Sequence, residues 1–261
     1  MRLGSEPPLI LCYHAVSSTW PSVLAVPPAV LADQLTFLSR RGYVGLTFAD
    51  AERRRMEGTL PRRSVVVTFD DGYHSTLTAV PILAGLRYPA TVFVVTAFVD
   101  SGRALSWPGV ADWLDGPHND DLRPLGWDDL LRLSEQGWEV GSHTATHPEL
   151  TRVGDDVLAE ELGGSRAALS RRLGRCETVA YPYGLADERV AAAAAAAGYD
   201  GACTLTRAHR VDDRYRRARV GLYAHDRGLR LRAKASPLAR LARRSRLGVL
   251  AERVASPPLP R

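Results

Sequence analysis

The stretch Val65-Val66-Val67-Thr68-Phe69-Asp70-Asp71-Gly72-Tyr73 runs an apolar, β-rich segment straight into two carboxylates and a glycine. Segments of the same kind recur along the chain and predict strands at Leu9–Tyr13, Ser64–Phe69, Ala90–Val95, Trp138–Ser142, Thr178–Tyr181, Gly201–Leu205 and Arg219–Leu222. Helical patterns lie between them, at Pro28–Arg41, Trp127–Gln136, Asp155–Leu173 and Asp187–Ala197. Each of these helices is followed by a glycine (Gly42, Gly137, Gly174, Gly198), where a left-handed C-cap is wanted. Strand–helix alternation from Leu9 to Leu222 implies parallel strands covered by helices, hence an α/β barrel or a doubly wound sheet. No G-x-G-x-x-G follows the first strand and no G-x-x-x-x-G-K-[ST] occurs, so the phosphate cradle of nucleotide folds is missing and a barrel is favoured.

The 261 residues are 45% hydrophobic and 24% charged, values of an ordinary globular domain that exclude collagen, a disordered polymer and a disulfide-stapled module. No apolar run approaches the roughly 20 residues of a membrane-spanning helix. The apolar stretch Pro8–Tyr13 is too short for a signal-peptide core, so the chain is expected to be cytoplasmic. Cys12, Cys176 and Cys203 are far apart and odd in number, which fits buried small side chains better than disulfides.

The net charge of +5 is unevenly spread: residues 227–261 carry ten basic side chains and one acid, leaving the rest of the chain at −4. That is a property of a tail, not a nucleic-acid-binding surface, and no nucleic-acid partner is expected. We therefore divide the chain into a folded domain over residues 1–225 and a basic, poorly packed tail over 226–261. The tail pattern Leu238, Leu241, Leu247, Leu250 and Val254 among arginines is weakly amphipathic and would suit weak contact with an anionic membrane surface. A solvated tail is the simpler expectation. The Thr96–Gly126 segment, rich in Gly, Pro, Asp and Trp, reads as a long insertion on the strand-end face, a usual place for a lid or binding surface.

Three segments carry chemistry. Asp70-Asp71-Gly72 is an ordinary turn sequence, but it stands at the C-terminal end of a strand, the catalytic face of a barrel. His143-Thr144-Ala145-Thr146-His147-Pro148 sets two imidazoles at H-x-x-x-H spacing; Pro148 favours a loop over a helix there, and no Glu follows His143 as in zinc peptidases. With Asp71 the two histidines make a His2Asp set, suited to zinc or a similar divalent ion with a position left for water. Asp70 would then take a proton from that water, which reads as metal-assisted amide or ester hydrolysis. The third segment, Ala180-Tyr181-Pro182-Tyr183-Gly184, makes a turn after a strand whose amides could face a developing oxyanion.

Together the segments resemble the NodB-type polysaccharide deacetylases, carbohydrate esterase family 4. Thr68–Gly72 is similar to that family's first motif, His143–His147 to its second and Ala180–Gly184 to its third, over a match running from Leu9 to about Leu222. The resemblance implies a deformed (β/α)7-type barrel in a single domain and removal of acetyl from an N-acetylglucosamine-type glycan. It implies Asp70 as general base, Asp71, His143 and His147 as metal ligands, and the Tyr183 amide at the oxyanion. Where the family commonly has an arginine that orients the base, this chain has Ala180, and Arg219 is the expected substitute. No late Leu-x-His motif is present. His14, at the end of the first strand, is expected at the mouth ahead of His209, and Tyr181 is expected on the substrate side. Hydrolysis of a non-sugar amide, or glycan binding without catalysis, are the alternatives.

Overall fold

The computed structural model describes residues 7–205 and 213–236. Strands β1 (Leu9–Tyr13), β2 (Val44–Leu46), β3 (Ser64–Phe69), β4 (Thr91–Val94), β5 (Glu139–Ser142), β6 (Thr178–Ala180), β7 (Gly201–Leu205) and β8 (Arg217–Gly221) are all parallel to their neighbours. Seven of them close a ring, β1-β3-β4-β5-β6-β7-β8 and back to β1. This is the expected deformed barrel, with one strand more than the sequence suggested. The deformation sits at β3, where β2 pairs with Ser64–Val66 and β4 pairs beyond it with Thr68 and Phe69. A three-residue strand leaves too short a run for its periodicity to be read.

Helices α1 (Pro28–Ser39), α2 (Phe48–Glu57), α3 (Val80–Leu86), α4 (Trp127–Glu135), α5 (Asp155–Leu173), α6 (Glu188–Ala196) and α7 (Gly228–Ala235) cover the ring. α5 ends where expected, at Gly174 in the left-handed region (φ 82°). α2 was not expected because its face is mostly polar. Its ends are nonetheless marked: the Thr47 side chain accepts from the Asp50 amide at 3.2 Å, and Gly58 terminates it. Among the described residues no helix is long and apolar enough to cross a membrane.

α7 carries the packed body past the expected boundary at residue 225. Leu231 and Ala235 join the layer between ring and helices, and Lys234 Nζ donates to the Gly221 carbonyl (2.8 Å) and to Asp226 Oδ2 (2.6 Å). Arginine content hid this helix in the sequence. The amphipathic positions from Leu238 to Val254, and His209, lie outside the described residues.

The period of two along each strand sorts side chains into an outer layer and a lumen. Leu9, Leu11, Val65, Val67, Val92, Val179 and Val220 pack against helices. Ile10, Val66, Phe93, Ala180 and Cys203 fill the lumen. Gly141 is small because the Phe93 ring fills the space, and a Cβ there would lie 2.6 Å from it. At the N-terminal floor, Arg217 holds Glu52 with two bonds of 2.8 Å. Asp70, Asp71, His143 and His147 stand at the opposite end, where the C-terminal ends of the strands meet a pocket.

Candidate metal centre and active site

The chain leaves β3 through a sharp turn. Asp71 (φ 71°) and Gly72 (φ 77°) are both left-handed, a conformation Asp tolerates better than most residues. Gly72 is required twice over, since a Cβ would also meet Val94 Cγ1 at 2.8 Å. The turn sends Asp70 into the lumen mouth and Asp71 toward β5. There His143 Nε2 lies 3.3 Å and His147 Nε2 3.4 Å from Asp71 Oδ1. The three residues form a buried cluster of potential metal ligands.

The loop that carries the histidines is over-determined. Thr144 and His147 both have φ of 68°, which is costly for a β-branched residue. Three groups of contacts hold it there. The Thr144 carbonyl accepts from the Thr96 amide at 3.2 Å, Thr144 Oγ1 accepts from the His147 amide at 3.0 Å, and Glu161 clamps the middle. This α5 carboxylate accepts from the Ala145 and Thr146 amides (2.8 and 2.9 Å) and from the Thr146 hydroxyl (2.5 Å). Sequence reading missed Glu161, because nothing in the spacing from His147 marks it. We expect Glu161→Ala to weaken zinc binding about 10–100-fold in chelator competition, as losses of outer-shell support do. Glu161→Gln, which keeps one acceptor for the amides, should stay close to wild type.

The donor set fits a cation. His143 Nδ1 donates to the Ala180 carbonyl at 2.7 Å, so in its neutral form the ring turns an Nε2 lone pair toward a carboxylate oxygen, the arrangement a cation would stabilise. Two acceptors face each other there. Separations of 3.3 and 3.4 Å are long for hydrogen bonds, yet they match the edge of a tetrahedral shell, about 3.3 Å for metal–ligand bonds near 2.0–2.1 Å. The charges agree. Burial works against protonated His143, but Asp70 and Asp71 outweigh it and raise its pKa. Burial is also opposed at Asp71, where the two imidazoles hold the carboxyl far below its usual range. His147, buried and beside His143, is lowered.

Asp70 has a different partner. Arg219, fully buried on β8, donates to both its oxygens at 2.6 and 2.7 Å and to Thr68 Oγ1 at 2.9 Å. Burial pushes the Asp70 carboxyl up, but Arg219 and His143 more than offset this and hold it below the ordinary range. Cys12, expected only as filler, donates from Sγ to Asp70 Oδ2 at 3.4 Å. Arg219, the expected substitute for an arginine at Ala180, thus pairs with Asp70 from β8 and not from β6.

Asp70, Asp71, His143 and His147 line one pocket, together with His14, Trp107 and Tyr183. Tyr183 is left-handed (φ 58°) in the turn after β6, its ring edge-on to His147 at 4.8 Å. The bonds closing that turn come from the Gly184 and Leu185 amides. Tyr181 is a correction. Strand alternation that turns Ala180 inward turns Tyr181 outward into the helix layer, where its hydroxyl donates to the Tyr215 carbonyl at 3.0 Å. It does not reach the pocket. Of the tryptophans in or beside the insertion, Trp107 reaches the pocket, Trp113 packs edge-on against Trp20 at 5.9 Å, and Trp127 begins α4.

Comparison with known proteins agrees with this geometry. Poly-beta-1,6-N-acetyl-D-glucosamine N-deacetylase of Escherichia coli (strain K12) is 30% identical over 102 residues, which cover 38% of this chain and 13% of that protein. The chitooligosaccharide deacetylase of Bradyrhizobium sp. (strain ANU 289) is 31% identical over 155 residues, 57% of this chain and 58% of that one. This chain therefore spans only part of the length of either relative. Among solved structures, IcaB from Ammonifex degensii superposes with a TM-score of 0.70 at 25% identity, over 88% of this chain and 97% of that one. The polysaccharide deacetylase family model matches residues 57–202, more than half of the sequence and all three motifs. The match takes in the carboxylate turn after β3, the histidine loop after β5 and the turn after β6, and the chain belongs to the polysaccharide deacetylase family.

Proposed function

We propose that this protein is a metal-dependent carbohydrate N-deacetylase that removes acetyl groups from an N-acetylglucosamine-type glycan. One observation carries the reading: a buried Asp-His-His cluster stands beside a carboxylate held ionised by a buried arginine, in one pocket at the barrel mouth. The names of the two curated relatives, both deacetylases of N-acetylated sugars, support the substrate class.

Asp71, His143 and His147 would hold the metal, and their nitrogen and oxygen donors suit zinc. When bound, such an ion polarises an acyl oxygen and makes water acidic near neutral pH. Asp70, kept as carboxylate by Arg219, accepts the proton of the attacking water. We assign the Tyr183 amide to the developing oxyanion. The carbon–nitrogen bond then breaks, giving acetate and an amine that must take up a proton. Protonated Asp70 can return one, and a His14 ring nitrogen lies within 4.8 Å of the Asp70 carboxylate.

The test is acetate release from N-acetylglucosamine oligomers of several linkages by zinc-loaded protein. We expect release that chelation abolishes and zinc restores. Metal-bound protein that releases no acetate from any linkage would move the assignment to a non-sugar amide or to glycan binding without catalysis.

A further inference from the structure

His143 and His147 aim at the same Asp71 oxygen but are held in different ways. The Nδ1–H of His143 donates to the Ala180 carbonyl, the usual outer-shell device that fixes a metal-facing imidazole. His147 has no such bond. Its Nδ1 is buried and has no hydrogen-bond partner among the described residues. What His147 has instead is a wall of rings. Trp107 lies nearly parallel to it, 24° between planes and 4.1 Å between centroids. Tyr183 and His143 close on it edge-on at 4.8 and 4.9 Å.

Trp107 comes from the 96–126 connection, not from the strand or loop that carries the histidines. It is anchored there edge-on to Phe98 at 5.7 Å, in a cluster with Trp20, Leu105, Val110 and Leu122. An imidazole keeps its aim if rotation about χ2 is blocked. A hydrogen bond at Nδ1 blocks it by energy; an indole face at 4.1 Å blocks it by volume, because a turned ring would drive its edge into the stack.

We propose that Trp107 is the positioning residue of His147, its indole face replacing the outer-shell hydrogen bond that His143 has, so that the 96–126 connection is part of the metal centre. The inference rests on Asp71, His143 and His147 being metal ligands. Trp107 also lines the pocket, so one side chain supports a ligand and forms part of the wall a substrate would touch.

The experiment is zinc and cobalt affinity of the full chain by competition with a chromophoric chelator, together with the visible spectrum of the cobalt form. Wild type is compared with Trp107→Leu, Trp107→Phe and Phe98→Leu. Trp107→Leu should weaken zinc binding about 10–100-fold and alter the cobalt bands. Trp107→Phe, which keeps an aromatic face, should recover most of the affinity. Phe98→Leu thins the same cluster without touching His147 and should bind zinc as wild type does. Equal affinity in wild type and Trp107→Leu would overturn the inference alone. A loss in Phe98→Leu as large as in Trp107→Leu would overturn it too, by showing general loosening of the connection. A wild-type chain that binds no metal would overturn the metal-centre reading and this inference with it.

Discussion

Replacing Asp70 with asparagine should lower kcat/KM for acetate release by about 10²–10⁴-fold, the ordinary contribution of a positioned general base. Zinc stoichiometry should be unchanged, since Asp71, His143 and His147 stay in place. The amide cannot take a proton from water, and its nitrogen would present a donor to a guanidinium that only donates. Arg219 is left buried with its charge uncompensated, and breaking a buried pair from one side costs about 3–5 kcal/mol. Activity, metal content and denaturant stability should therefore separate: the first collapses, the second holds, the third falls. A variant retaining more than about a tenth of wild-type kcat/KM would remove Asp70 from the base's role.

The second large effect comes from the other half of the pair. Arg219→Met fills much of the space but leaves Asp70 buried without its counter-ion. Folding stability near neutral pH should drop by about 3–5 kcal/mol. The pH behaviour should change sign as well. In the wild type, burial of Asp70 is outweighed by Arg219 and His143, so its folded pKa is lowered. That stability is present above the unfolded pKa and is lost as pH falls through the folded one. With the guanidinium gone, burial raises the carboxyl, and the variant should lose stability as pH rises through the new value. The acid limb of kcat/KM should move to higher pH for the same reason. Arg219→Lys keeps the charge without the two-pronged grip and should fall between. Denaturant melts at two pH values and a pH–rate profile check this; a wild-type profile in Arg219→Met would discard the pairing as a functional device.

The fold was legible where one strand or one turn spells its own role. Asp70-Asp71-Gly72 and the His143–His147 loop stand at strand ends, so local sequence locates them on the barrel mouth. Arg219 could be nominated because the resemblance calls for an arginine where Ala180 stands and Arg219 begins the last predicted strand. Tyr181 faces away from the pocket because the strand's alternation, with Ala180 in the lumen, turns the next residue outward. Glu161 could not be read at all, and Trp107 only as one of the insertion's aromatics suited to stacking on a sugar ring, not as a neighbour of His147. Each acts on the histidine loop from a distant segment, through contacts that only tertiary packing creates, and neither stands in a pattern of its own. β2 and α2 escaped for a plainer reason: one is three residues long and the other buries little apolar surface.

The Asp70–Arg219 pair also sits on the seam of the ring. β1 closes the barrel between β3 and β8, with Leu11 opposite Val220 and Cys12 opposite Gly221. Beneath that junction Arg219 reaches from the last strand to the end of the third, while Thr68 ties to the Leu11 carbonyl. A chain emerging from the ribosome carries Asp70, Asp71, His143 and His147 long before it carries Arg219. Until β8 docks, the base has no counter-ion and the ring has no final staple. The same strand that closes the ring thus carries the counter-ion of Asp70, so the proposed general base depends on the last-synthesised strand of the barrel.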